Sequence, residues 1–256
     1  MKIPCKQIFV LVVMLLMGES ARAQTVKVAA AADLKFAMDE LATEFEKGSG
    51  AKLDVTYGSS GNFLTQIRNG APFDLFFSAD SEYPKKLEGV GLAEPGTLRE
   101  YAVGHIVIWT PRDSGIDAAK AGWQSLLDQR VKKIAIANPD HAPYGRAALA
   151  ALKKAGIYEQ VKDKLVYGEN ISQAAEFVQS GNAQAGIIAL SLAVSPAIKN
   201  GNRWEIPADS YLAIKQAAVM LKASKNKAAA RRFLDFVSGP QGLEILQRYG
   251  FTVPTS

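Results

Sequence analysis

The feature that most narrows what this chain can become is an alternation that starts at Thr25. Short apolar runs take turns with stretches whose apolar residues recur at helical spacing. Residues 26–31 read as a buried strand; Asp33 follows, and Leu34, Met38, Leu41 and Phe45 then share one helical face. Residues 53–57 read as a second strand, and 61–68 as a helix presenting Phe63, Leu64 and Ile67. Further strands are expected at 75–78, 106–109, 133–137, 165–166 and 185–189, and helices at 144–155, 171–180 and 225–238. A last helix starts near Pro240, whose fixed ring suits a first turn. Such alternation predicts an α/β protein with mostly parallel sheets. With 256 residues, 48% of them apolar, the chain can fill two modest cores. Two short segments beside strand patterns, 101–104 and 204–211, suit crossings between lobes. They divide the chain into one lobe of residues 24–102 with 208–256 and a second of residues 103–207.

Before Thr25 the pattern differs. Lys2 and Lys6 precede an unbroken apolar run at 8–17, and Ala21-Arg22-Ala23 then supplies small residues. That is the order of a cleaved secretory signal peptide spanning residues 1–23, with cleavage before Gln24 and export to the periplasm. Ten apolar residues are too few for a helix to cross ~30 Å of hydrocarbon. Cys5 precedes the apolar run, so a lipid anchor on it is not expected. Cleavage removes Cys5, the one cysteine, and with it disulfides, thiolate metal sites and cysteine nucleophiles. It leaves 27 basic and 24 acidic residues, a net charge of +3. That excess is too small and scattered for a nucleic-acid partner.

Chemistry concentrates where strands give way to helices. Four junctions place polar or small residues at a helix start: Ala32-Asp33, Ser59-Ser60-Gly61, Pro143-Tyr144-Gly145 and Asn170-Ile171-Ser172. A helix start leaves N–H groups without internal acceptors and carries the positive end of the macrodipole. Several starts aimed at one point hold an anion without Lys or Arg, and a Ser or Tyr hydroxyl adds a donor that rotates to meet it. Each junction alone also serves as an ordinary cap: Asp33 and Asn170 are preferred cap residues, and Gln173 completes a box-like pattern with Asn170. Four together in an exported α/β chain predict an anion cleft, with the anion unspecified.

Other chemistries have less behind them. Of the two histidines, His105 and His141, the second has Asp140 beside it as the carboxylate a metal site would need, but it is read as a surface loop residue beside a turn proline; the eight tyrosines are too dispersed for iron. Gly58-Ser59-Ser60-Gly61 lacks the spacing of a hydrolase elbow and a clear base, so a hydrolase using Ser60 is the enzyme alternative and no enzyme is expected. Phe76, Phe77, Trp109 and Phe236 fall in core patterns, and the basic run 222–232 spreads over several helical faces.

Residues 26–34, VKVAAAADL, resemble the opening strand and first binding loop of periplasmic molybdate-binding proteins. Gly58-Ser59-Ser60-Gly61-Asn62 with Gln66-Ile67 is similar to their serine-rich second loop, and residues 69–80, NGAPFDLFFSAD, to the block that follows it. Residues 138–145, NPDHAPYG, and the closing Gly239-Pro240-Gln241 and Arg248-Tyr249-Gly250-Phe251 complete a match that runs through the mature chain in family order. The resemblance implies a two-lobed type II periplasmic binding-protein fold with two mixed, mostly parallel sheets and two crossings. It implies molybdate or tungstate as the ligand, no cofactor, a monomer, and delivery to the permease of an ABC importer. Carried over residue by residue, the second-loop serine is Ser60 with Ser59 beside it. The helix-start amide of the other lobe is Ile171, and the Pro-x-Gly ligand position is Tyr144. The first-loop position, with Ala32 before it, is Asp33.

Two departures from the family pattern bear on the ligand. The tyrosine common after the Gly-Ile strand is absent at Ala189, and Tyr144 from the neighbouring loop is expected to replace it. Asp33 stands where Ser or Asn is usual; an ionised carboxylate near a dianion is repulsive by roughly several kcal/mol at an effective dielectric near 20. Its side chain is expected to turn back and cap its own helix while its main chain faces the ligand. The alternative is that it accepts a proton from a phosphate- or arsenate-like oxyanion.

Overall fold

The computed structural model describes residues 25–198 and 200–253; the segment read as a signal peptide, residues 1–23, lies outside the described residues. β1 (Thr25–Ala31) opens with alternating burial and then becomes buried on both faces, as a central strand must. It lies parallel to β2 (Lys52–Gly58) on one side and to β3 (Leu75–Ser78) on the other. Beyond β3 come β10 (Ile214–Met220) and β4 (Arg99–Gly104), giving the order β2-β1-β3-β10-β4 with β10 antiparallel to both neighbours.

A second five-stranded sheet has the order β7-β6-β8-β5-β9. Its strands are β5 (Ile106–Pro111), β6 (Ile134–Ala137), β7 (Leu165–Gly168), β8 (Ala185–Ala189) and β9 (Gly201–Glu205). β6 is parallel to β7 and β8, whereas β5 is antiparallel to β8 and β9. The sheets thus share one plan: in each, the first strand after the chain arrives from the other lobe is the antiparallel one, β5 or β10. The passages lie between Gly104 and Ile106 and between Glu205 and Ile214. Residues 101–104, read from sequence as a crossing, are the end of β4 in the first sheet.

Each sheet has its own core. In the first lobe Leu34, at the N-cap of the Lys35–Ser49 helix, and Met38, Leu41 and Phe45 within it pack with Phe77, Tyr101 and Phe233 on one face. Phe63, Ile67, Phe76 and Leu87 fill the other face. In the second lobe Ile106, Ile108, Ile134, Ile136, Ile187 and Ile188 lie among the alanines of the Pro143–Lys154 and Ile171–Gln179 helices. Ala31, Ala32 and Ala79 of the first lobe join this second cluster, so small side chains let the two lobes meet. Phe76, Phe77 and Trp109 are buried, and Phe236 is partly buried against the first core. No helix among the described residues is long and apolar enough to cross a membrane.

Candidate functional site

All four strand-to-helix junctions border one cavity between the lobes. Ala31, Ala32, Asp33, Gly58, Ser59, Ser60 and Ala79 come from the first lobe; Ala142, Pro143, Tyr144, Asn170 and Ile171 come from the second. The cavity is narrow, about 10 Å³ in this closed arrangement. Larger surface depressions exist, but the one at Lys27, Phe73 and Lys222 lies within the first lobe and gathers none of the four junctions. Parallel strands bring helix starts to their carboxyl edges, and two such edges face each other here.

The junctions differ in what they leave free. Ser59 is the N-cap of the Ser60–Arg68 helix: its Oγ accepts from Asn62 N at 3.4 Å and is hydrogen-bonded to His141 Nδ1 at 2.9 Å. Ser60 Oγ accepts from the Ala79 amide at 3.0 Å. A hydroxyl has one proton and two lone pairs, so that bond leaves the Ser60 O–H free to donate. At the first position of their helices, the amides of Ser60 and Ile171 have no carbonyl to reach within the helix. Asn170 caps the Ile171 helix by accepting from Gln173 N at 3.1 Å, and the Gln173 side chain accepts from Glu169 N at 2.7 Å.

Asp33 departs from its expected role. It makes no side-chain cap to the helix behind it. Instead Oδ2 accepts from Tyr144 Oη at 2.9 Å and from Gln216 Nε2 at 2.6 Å, while Oδ1 accepts from no other residue. The capping geometry fails because residues 32–34 form a tight 3-10 turn, and a hydroxyl and an amide from other elements offer the carboxylate better donors. Gln216 Nε2 also lies 3.1 Å from Tyr144 Oη, and Gln216 Oε1 accepts from Tyr101 Oη at 2.8 Å. Asp33 is 1% exposed, and burial pushes its carboxyl up to about 6 against the hydrogen bonding from Gln216, Tyr144 and its own backbone that opposes the shift. Burial likewise holds the Tyr101 and Tyr144 phenols well above their usual range. Tyr144 therefore borders the cavity, but its one proton is committed to Asp33.

The rest of the first loop is gripped from the opposite lobe. Ser172 Oγ donates to Ala32 O at 2.9 Å, and Ser191 Oγ donates to Asp33 O at 2.7 Å. Ser191 lies just beyond Ala189, where the sequence lacks a tyrosine, in the one-turn helix Leu190–Ala193. Elsewhere across the cleft, Gly61 N donates to His141 O at 3.0 Å. A Cβ at Gly61 would stand 2.6 Å from that same oxygen, so the close approach requires glycine. Asn62 Nδ2 donates to Glu169 Oε1 at 3.2 Å, and Arg146 pairs with Asp80 at 2.6 Å and donates to Tyr83 Oη at 3.1 Å. His141, read from sequence as a surface loop residue, is part of this seam. His105 is hydrogen-bonded to Thr252 Oγ1 at 2.8 Å.

Sequence reasoning missed Gln216, Tyr101 and Ser191. Gln216 is a fully buried amide that opens directly onto the apolar run Ala217–Met220, and that adjacency was a faint signal at most. Ser191 and Tyr101 carried no comparable mark.

Two sheets sharing one plan, joined by two crossings and meeting around a polar cavity lined by helix starts, define a two-lobed solute-binding protein. Comparison with known proteins places it more narrowly: residues 26–252 match the family described as bacterial extracellular solute-binding protein, and the chain belongs to that family. It is 40% identical over 237 residues to the molybdate-binding protein ModA of Azotobacter vinelandii, covering 92% of this chain and 93% of that protein. It is 41% identical over 231 residues to ModA of Rhodobacter capsulatus, covering 90% and 89%. Its fold superposes on the solved periplasmic molybdate-binding protein of Azotobacter vinelandii with a TM-score of 0.83, over 90% of this chain and 100% of that one at 34% identity. The family is one of binding proteins rather than enzymes.

Proposed function

We propose that this chain is a periplasmic solute-binding protein that captures molybdate or tungstate between its lobes and delivers it, as a monomer, to the permease of an ABC importer. The observation that carries the proposal is the meeting of four helix starts from both lobes at one cavity. Such a site offers a tetrahedral dianion neutral donors whose hydrogen bonds strengthen away from water. Ser60 contributes its O–H and its amide, and Ile171 contributes its amide. Asp33 and Tyr144 form the inner wall, and Ala32 and Ser59 border it. The lobes part and close at the passages near residue 105 and between residues 205 and 214, and the anion favours closure because only the closed form brings both sets of donors to it. Residues 1–23 act as the export signal in this reading. Sulfate has the same shape and charge, so exclusion of sulfate rests on cavity size.

The test is a thermal-shift panel of molybdate, tungstate, sulfate, phosphate and chromate on the mature protein. A ligand at 100 times its Kd stabilises by about 2.7 kcal/mol, so molybdate and tungstate are expected to raise Tm by several degrees and sulfate by much less. Stabilisation by phosphate alone would replace molybdate with a protonated oxyanion as the cargo, and no shift with any anion would remove the transport reading.

A further inference from the structure

We propose that the cavity takes up its oxyanion together with one proton, carried on Oδ1 of Asp33, so that a neutral carboxylic acid donates a hydrogen bond to the ligand. This rests on the anion-binding reading above and adds to it a dependence on pH.

The geometry of the carboxyl divides its two oxygens. Oδ2 is saturated by neutral donors, Tyr144 Oη and Gln216 Nε2. Oδ1 is buried and accepts from no other residue, on a residue that lines the cavity. Buried polar atoms are nearly always paired, so a lone oxygen here marks a contact completed by something else. A tetrahedral dianion only accepts hydrogen bonds. Facing it, a bare carboxylate oxygen repels, whereas a protonated one donates. Placing the proton on Oδ1 leaves Oδ2 a carbonyl-like acceptor for the donors it already has, so no bond in the network has to be remade.

Nothing around Asp33 offers a competing positive charge. Tyr144 faces it from the Pro143–Lys154 helix, and Gln216 from β10. Tyr101 faces the cluster from β4, and Tyr211 lies beyond Tyr144. The three phenols are raised, so they keep their protons, and no cation is among the groups that shift Asp33. His141 reaches the cavity edge only through Ser59. The proton balance is simple: a carboxylate, one solvent proton and the dianion give a carboxylic acid hydrogen-bonded to the dianion. One O–H bond forms on Asp33 as one bond to hydrogen breaks in the hydronium or buffer acid that gives up the proton.

A carboxyl that titrates near 6 before binding and stays protonated throughout this range in the complex makes apparent affinity fall roughly 50-fold between about pH 6 and about pH 8. The experiment is calorimetric titration of the mature protein with sodium molybdate near pH 7.5, in two buffers of different ionisation enthalpy, with Kd followed from about pH 6 to about pH 8.5. Expected are uptake of close to one proton per anion and the fall in affinity. D33N, whose amide donates at every pH, is expected to flatten the profile and abolish the uptake, whereas H141Q is expected to retain both. Molybdate bound by the wild type without proton uptake and with flat affinity overturns the proposal while leaving anion binding intact, and needs no variant. Loss of uptake in H141Q with persistence in D33N overturns the assignment to Asp33. Absence of binding to every tetrahedral anion overturns the anion-binding reading itself, and this inference with it.

Discussion

Gly104 ends β4 beside the first passage between lobes, and Tyr144 of the opposite lobe packs directly over it. A Cβ there would overlap the Tyr144 hydroxyl, stand 2.9 Å from Gln216 Nε2 and 3.0 Å from Tyr144 Cζ. Non-bonded carbon–oxygen contacts hold at about 3.3 Å or more, so Gly104→Ala must push the hydroxyl out of the 2.9 Å bond it makes to Asp33. A lost hydrogen bond to a carboxylate costs about 1.5–3 kcal/mol, and the forced repacking about 1–3 kcal/mol more. Because the two residues belong to different lobes, the penalty falls on closure and is read in affinity: about 3 kcal/mol is roughly a 100-fold rise in Kd for molybdate. Tyr144→Phe removes the oxygen that clashes, leaving the ring carbon and the flexible end of Gln216 to yield by a few tenths of an ångström. The affinity of G104A/Y144F is therefore expected to lie close to that of Y144F alone, although each single change weakens binding. Calorimetry on the four proteins measures the coupling, with unliganded melting curves to show that each is folded. Additive losses in the double variant would refute the reasoning, because they would mean that Gly104 is not reserved for the Tyr144 hydroxyl.

Stability of the unliganded protein should carry the mark of Asp33. Burial raises its carboxyl to about 6, so the folded state holds this proton more tightly than the unfolded chain. That contribution to stability is lost as pH rises from about 4 to about 6, for a total near 3 kcal/mol. Urea melts of D33N are expected to show it more stable than wild type at pH ~7, with the difference closing toward pH ~4. Ser60→Ala removes the acceptor of the Ala79 amide and a free donor; it is expected to lose about 1–3 kcal/mol of stability and at least ~10-fold in molybdate affinity by calorimetry. Arg146→Ala breaks a half-exposed pair with Asp80 worth at most about 1 kcal/mol. A rise in Kd of no more than about 5-fold is expected, mostly as faster release in stopped-flow.

The sequence made the helix starts legible because caps and small residues at strand ends follow from local backbone needs. Ser59 and Asn170 cap as their types suggest, and β3 and β8 end where their apolar runs end. Strands with mixed composition escaped notice. β10 carries Lys215 and Gln216, and β9 alternates polar residues around Trp204 at a sheet edge, so neither has a clean apolar run. The polar network beneath the cavity was less legible still. Asp33, Tyr101 and Gln216 lie as much as 183 residues apart and meet only through the pairing of the first sheet, and Tyr144 joins them only where the second lobe packs against it. A short-range rule assigns Asp33 to its own helix. The long-range donors prevail because a buried carboxylate needs strong partners more than an N-terminal turn needs a cap.

That network also bears on why the lobes can reopen. Several hydrogen bonds spanning the cleft join neutral hydroxyls, amides and carbonyls, Ser172 to Ala32, Ser191 to Asp33 and Gly61 to His141, while Asn62 to the Glu169 carboxylate and Arg146 to Asp80 lie at its exposed rim. Each exchanges with water on opening, so each favours closure by only about 1 kcal/mol. The apolar surface joined between lobes is drawn from alanines such as Ala31, Ala32 and Ala79, which bury little. Shifting such a balance from 1:99 to 99:1 takes about 5.5 kcal/mol of differential affinity, within reach of a dianion meeting several charge-assisted donors at once. A cleft sealed by large apolar side chains would stay shut with or without cargo. A proton on Asp33 adds one donor to the closed state alone, and its loss as pH rises would favour opening and release.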